Sequence, residues 1–504
     1  MSSTREGDDS FVFCGTVAHS TPTNALDIRE NAILGVAGGK VIFFDHQSRL
    51  QQLLQEHEID QENVHQLTNG QFLMPGLVDC HFHSPQLSIQ ALGTDLGLLD
   101  WLDTYTFPAE EGFSSVEFAR NAHEKTVKRT LRCGTTAAAY YSTIHRETTM
   151  FLCDFAAENL GQRAFVGKVN MDMKAPDSYR ETTEESLAET ARYYRTFAYS
   201  LVTPVITPRF AVSCSKPLLD GLGRMAKEYN LPVQTHLNET TEERKLVLEL
   251  HPGNATYTEV YDNANLLGPK TILAHCIQSN DNEIDIIKTR GCGVIHCSCS
   301  NITLRSGVMD LRKFLNYGVK LGLGTADVGA GYTPSILSAM RHSVDASNIL
   351  AIKHAQQQVQ NGHPRIPYEP ITISEAFRLA TLGGSEVLGL NCGNFESGRE
   401  FDALLIDPNT SNSPLDIFLL IKPKTSSRNS STQECMTPRV QEAQHSVRPV
   451  KYNNTVELEA HGTMNTEEEV HRKVPVLYNN IIQPAVHDTM GTTGTTRYNY
   501  NTSH

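Results

Sequence analysis

The chain has 504 residues, of which 39% are hydrophobic and 20% charged, with a formal net charge of −14. That length allows a large core, and the acidic balance argues against an electrostatic nucleic-acid surface. No apolar run approaches the ~20 residues of a membrane span, so a soluble protein with a small-molecule substrate is expected.

The opening MSSTREGDDS has no apolar signal core, which predicts a cytoplasmic protein. Eleven cysteines are scattered along the chain, several inside apolar runs (Cys80, Cys133, Cys276, Cys297). Reduced, buried thiols fit this better than a disulfide framework. Cys297 and Cys299 lack a second pair at zinc-ribbon spacing and are read as packing.

In chain order, residues 1–75 alternate short strand-like pieces (FVFCGTVAHS, AILGVAGGKVIFFD, QFLMPG) with turns and read as a small β unit. From Gly76 the pattern becomes strand, loop, helix, repeated. Strands are predicted at 76–83, 134–142, 163–173, 201–214, 231–237, 271–278, 293–301 and 319–329. Helices are predicted between them at 116–131, 183–196, 216–229, 241–250, 282–290 and 308–317, with two more at 334–353 and 373–388. Eight strands alternating with helices predict an α/β fold, a (β/α)8 TIM-type barrel over 76–390. The segment 391–423, carrying GREFDALLID, is expected to return to the β unit, the two forming a small β-sandwich domain. Residues 424–504 are rich in Ser, Thr, Asn, Gln and charge and read as a disordered tail, with VPVLYNNIIQP its one candidate for local structure.

The run PGLVDCHFHSPQ (75–86) places His81 and His83 two residues apart on a strand, so both imidazoles point the same way. Alone, such a pair could be two histidines on a half-solvated strand. Yet the fifth strand ends in Gln234-Thr235-His236-Leu237-Asn238-Glu239, the sixth in Leu273-Ala274-His275 and the eighth in Gly324-Thr325-Ala326-Asp327. In a barrel these ends share one mouth. Imidazoles and a carboxylate with open coordination suit a catalytic zinc, which lowers the pKa of a water toward ~7. Asp327 could instead stabilise the turn that follows. Glu239 could act as a general acid/base or as a helix N-terminal carboxylate. Arg209 and Phe210 could hold a flat polar heterocycle, and Gln86 offers an amide donor and acceptor. His296, in HCSCSN, reads as strand-end packing.

These segments, with LLDWLDTYTFPAE (98–110), TPRFAVSCS (207–215), GLGTADVGAGYTPS (322–335) and FRLATLGGSEVLGL (377–390), resemble the guanine deaminases of the amidohydrolase superfamily over roughly residues 10–420. The resemblance implies one zinc per subunit on His81, His83, His236 and Asp327. It implies that His275 orients or activates water, that Glu239 shuttles protons, and that Gln86, Arg209, Phe210, His236, Glu239 and Asp327 contact guanine. The activated water would attack guanine C2, with Asp327 accepting its proton. Glu239 would protonate the ring and help ammonia leave, giving xanthine in purine catabolism. A homodimer is implied as well. Three departures stand out: Ala326 intervenes in the family's Gly-Thr-Asp, Ser298-Cys299 replaces its Pro-Asn, and the likeness stops near Leu420. An added residue in a strand turns the next side chain to the other face unless a bulge absorbs it. Two alternatives stay open, a related amidohydrolase acting on another heterocycle and a scaffold that has lost catalysis.

Overall fold

The computed structural model of the chain describes residues 10–68, 70–326, 328–360, 367–408 and the backbone of Arg448–Val450. The first strands are β1 (Phe11–His19), β2 (Asp27–Ala37), β3 (Lys40–His46), β4 (Val64–Gln66) and β5 (Phe72–Pro75). β2 and β3 form a hairpin whose two loop residues, Gly38 and Gly39, both have positive φ (55° and 73°). That backbone matches the twist of the flanking strands and favours glycine. β1 forks at Gly15. Its first half pairs in parallel with β4 and its second half with β5, the register shifting between Gly15 and Val17. A Cβ at Gly15 would stand 2.6 Å from that of Leu67.

The central part holds β6 (Leu77–His83), β7 (Thr135–Tyr141), β8 (Arg163–Gly167), β9 (Val169–Asn170), β10 (Val202–Pro204), β11 (Thr207–Pro208), β12 (Val233–Leu237), β13 (Thr271–His275), β14 (Gly293–His296) and β15 (Lys320–Leu323). All seven residues of β6 are buried, as expected of a parallel strand covered on both faces. Two parallel four-stranded sheets run in the orders β10-β8-β7-β6 and β12-β13-β14-β15, and β11 pairs with β9. Single parallel bridges, Ile206 to Val233 and Phe82 to Ala326, link the fourth strand to the fifth and the eighth to the first. The helices between strands start on side-chain caps: Ser115 for Val116–Arg132, Thr182 for Thr183–Arg195, Ser215 for Lys216–Glu228, Thr240 for Thr241–Leu250 and Asn280 for Asp281–Arg290. Each such cap is worth ~1 kcal/mol.

β16 (Ala403–Ile406) pairs antiparallel with β5, and β17 (Arg448–Val450) with β16. Among the described residues these strands and β1 to β5 form one seven-stranded sheet, so the expected sandwich is a single forked sheet. Both faces are buried, one on Phe395 and Phe401, the other on Leu53, Leu54 and Ile59. β17 falls inside the stretch read as tail, while VPVLYNNIIQP lies outside the described residues. Other boundaries differ locally. The expected third and fourth strands are each broken in two, the third at Lys168 and the fourth at Val205–Ile206. The seventh strand ends at His296, and Ser298–Thr303 is a short helix.

The long helix after β6 is tied to that strand's end, His123 Nδ1 standing 2.8 Å from Ser84 Oγ. His123 is fully buried, and burial pushes its pKa down to about 3. Between pH 6.5 and 3 the unfolded chain therefore binds a proton that the folded one refuses, so stability is lost as pH falls through that window. Melting temperatures of wild type and His123→Gln between pH 7 and pH 4 should show a shallower decline in the variant; parallel curves would contradict this.

Candidate active site

β6 ends by delivering His81 and His83, and β12 delivers His236, all three buried. His236 Nε2 lies 3.2 Å from His81 Nε2 and 3.0 Å from His83 Nε2. The Arg209 carbonyl, 2.6 Å from His236 Nδ1, can only accept, so that nitrogen carries the proton and Nε2 presents a lone pair. Burial first, then neighbouring positive groups, holds all three imidazoles well below the usual histidine range. Neutral imidazoles with facing lone pairs are the ligand form, and this donor set fits a divalent metal. Tyr141, ending β7, walls the group, its ring centroid 4.9 Å from that of His81 and 4.5 Å from that of His83.

His275 ends β13 beside this group, its ring stacked on His236 at 5.4 Å. Its Nδ1–H donates to Asn301 Oδ1 at 2.7 Å, and its Nε2 is 3.6 Å from Glu239 Oε2. Glu239 Oε1 accepts from Ser306 Oγ at 2.8 Å. The helix-terminus role expected as the alternative for Glu239 falls to Glu243, which closes a capping box with Thr240. Asn238, His275, Cys276 and Ala326 have φ of 52°, 74°, 51° and 53°. Left-handed backbone outside glycine costs of order 1 kcal/mol or more and gathers at functional sites. The Ala326 N–H donates to the His81 carbonyl (2.8 Å), and the Ala326 carbonyl accepts from His83 N–H (3.2 Å). Asp327 itself lies outside the described residues. Asp79 holds Thr325, two residues before Asp327, accepting from its Oγ1 (2.6 Å) and its N–H (3.2 Å). Burial pushes Asp79 up to about 7 against those hydrogen bonds.

A small cavity opens on the histidines, lined by His83, Leu98, Leu102, Arg209, Phe210, His236 and Glu239. Arg209 and Phe210 sit in the loop after β11 rather than on a strand. Arg209 is 2% exposed, its Nη1 2.5 Å from Glu110 Oε2 and its guanidinium 5.2 Å from the centre of the Phe107 ring. Gln86 is fully buried on the turn Ser84–Ile89, and neither amide atom has a hydrogen-bond partner among the described residues. It is not among the residues lining the cavity.

The profile of the amidohydrolase family matches residues 72–438, well over half of the chain. The chain belongs to the amidohydrolase family. Among relatives, a guanine deaminase from Rattus norvegicus is 42% identical over 425 residues, 83% of this chain and 91% of that protein. One from Dictyostelium discoideum is 42% identical over 424 residues, 81% of this chain and 91% of that protein. The crystal structure of guanine deaminase from C. acetobutylicum, with guanine bound in its active site, superposes with a TM-score of 0.72 at 34% identity, covering 79% of this chain and 91% of that one. The amidohydrolase fold of these neighbours is of TIM-barrel type.

In this amidohydrolase the structure brings together seven of the nine residues singled out in the sequence: His81, His83, His236, His275, Glu239, Arg209 and Phe210. Gln86 is buried off the cavity lining. Asp79, Glu110, Tyr141 and Asn301 went unrecognised. Glu110 and Asn301 carry a sequence signal, an acid in the YTFPAE segment and an amide closing HCSCSN. His296, read as packing, is buried at the end of β14, and neither ring nitrogen has a partner among the described residues. Burial and nearby His275 push it down to about 4.

Proposed function

We propose that this amidohydrolase converts guanine and water into xanthine and ammonia. The observation that carries this reading is the convergence of three buried imidazole Nε2 atoms on a cavity lined by Arg209, Phe210 and Glu239, in a chain 42% identical to guanine deaminases. His81, His83 and His236 would hold zinc, with Asp327 as fourth ligand by resemblance. A zinc ion in such a pocket supplies a water activated as a nucleophile near neutral pH. His275, fixed through Asn301, orients that water with Nε2 on the Glu239 side. Attack on C2 places charge on ring N3, so an acid there lowers the barrier. Glu239, held by Ser306, supplies that proton and then carries one to the departing ammonia. Arg209 donates to the base's acceptors, Phe210 packs on its ring, and Gln86 offers an amide with no partner among the described residues.

The two parallel sheets form the halves of a closed (β/α)8 barrel over 76–390 in this reading. We place the enzyme in the cytoplasm as a homodimer of purine catabolism. The ten described cysteines are all free, in keeping with a reducing compartment.

The test is to incubate purified protein with a panel of purines and pyrimidines and measure ammonia and product. Guanine should yield xanthine and ammonia in equal amounts and be the preferred base. Preference for another base would favour the related-heterocycle reading, and stoichiometric zinc without turnover on any base would favour the scaffold. Gln86→Leu should keep its metal while KM for guanine rises on the order of tenfold; an unchanged KM would remove Gln86 from the substrate site.

A further inference from the structure

Glu110 takes no part in the chemistry above, and it does not line the cavity. We infer that it is a positioning residue that aims Arg209 and thereby sets which group at the six position of the base the site accepts. The inference rests on the guanine reading.

Arg209 is held at both ends. Its backbone N–H donates to the Asn170 carbonyl at 3.2 Å, and its own carbonyl accepts from Nδ1–H of the metal-binding candidate His236. Its guanidinium meets Glu110 Oε2 at 2.5 Å, and Tyr179 Oη donates to that same oxygen at 2.9 Å. Glu110 and Phe107, whose ring the guanidinium covers, share the short helix Phe107–Glu111. Both members of the ion pair are almost completely buried. A buried ion pair is a weak source of net stability, so fold stabilisation alone accounts poorly for this clamp. It does fix direction: Nη1 is committed to Glu110, and Arg209 lines the cavity.

A guanidinium offers donors only. Guanine turns two acceptors, O6 and N7, toward such a fork, whereas a 6-amino purine turns a donor where O6 would be and leaves a dry N–H unpaired. Sites built on buried hydrogen bonds reject such mismatches strongly. That rejection requires a fork that cannot swing away, and Glu110 with Tyr179 supplies the restraint.

The experiment compares zinc-loaded wild type, Glu110→Gln and Tyr179→Phe for zinc content, melting temperature, kcat and KM for guanine, and Ki for 2,6-diaminopurine. In Glu110→Gln, KM should rise on the order of tenfold with kcat changed less, and the ratio of that Ki to KM should fall by a similar factor. Tyr179→Phe, which leaves the ion pair in place, should move both quantities the same way by less. Zinc content should match wild type in both. An unchanged ratio in the variants overturns the inference, including where activity and stability drop together, and Tyr179→Phe decides if Glu110→Gln does not fold. A wild-type enzyme inactive on guanine would instead overturn the functional reading itself.

Discussion

His236→Ala is expected to lose its bound metal and its guanine turnover together. His236 Nε2 is the common neighbour of His81 Nε2 and His83 Nε2, at 3.2 Å and 3.0 Å. Its ring is locked by the Arg209 carbonyl at Nδ1, and its own carbonyl accepts from Tyr261 Oη at 2.9 Å. Removing only a hydrogen-bond partner of a metal ligand typically costs roughly 10- to 100-fold in affinity, so removing the ligand should exceed 100-fold. Metal analysis after dialysis against a weak chelator reads the first loss, and ammonia release reads the second. A variant that keeps both would show that β12 carries no ligand.

Glu239→Gln separates chemistry from binding. The amide has nearly the same shape, and its oxygen can still accept from Ser306 Oγ, so metal content and melting temperature should match wild type. The variant can no longer give and take a proton beside His275, whose Nε2 lies 3.6 Å from Glu239 Oε2. Loss of a positioned general acid/base costs roughly 10²- to 10⁴-fold, which should appear in kcat with KM for guanine altered far less. A kcat within a few-fold of wild type would assign proton transfer elsewhere.

What the sequence discloses tracks how local each interaction is. β6 was legible because its strand-like start, Leu77-Val78, leads into histidines at period two, and all seven of its residues are buried. His236 and His275 were legible as polar residues ending such runs, and their convergence followed once a shared barrel mouth was inferred. The fourth strand misled because the apolar residues from Leu201 to Cys214 read as one strand, whereas the ladder is interrupted at Val205–Ile206, with Pro204 paired to Val166 before the gap and Pro208 to Asn170 after it. HCSCSN misled because its strand stops at His296, and the helix that follows carries Asn301 to His275. Glu110 is 99 positions from Arg209, and periodicity holds no record of such a pair. The sandwich failed for a comparable reason: strand patterns give alternation, whereas the fork of β1 depends on one glycine and its approach to Leu67. Ala326, read as an inserted residue, has left-handed backbone and bonds to β6 through both its N–H and its carbonyl.

The most direct test of the central claim, a metal site on His81, His83 and His236 that drives guanine hydrolysis, is a zinc titration of metal-stripped protein with xanthine formation as the readout. Activity should be near zero without metal, rise linearly with added zinc and level off at one equivalent per chain. Full activity in the stripped protein, or one bound equivalent that restores no xanthine formation, would contradict it.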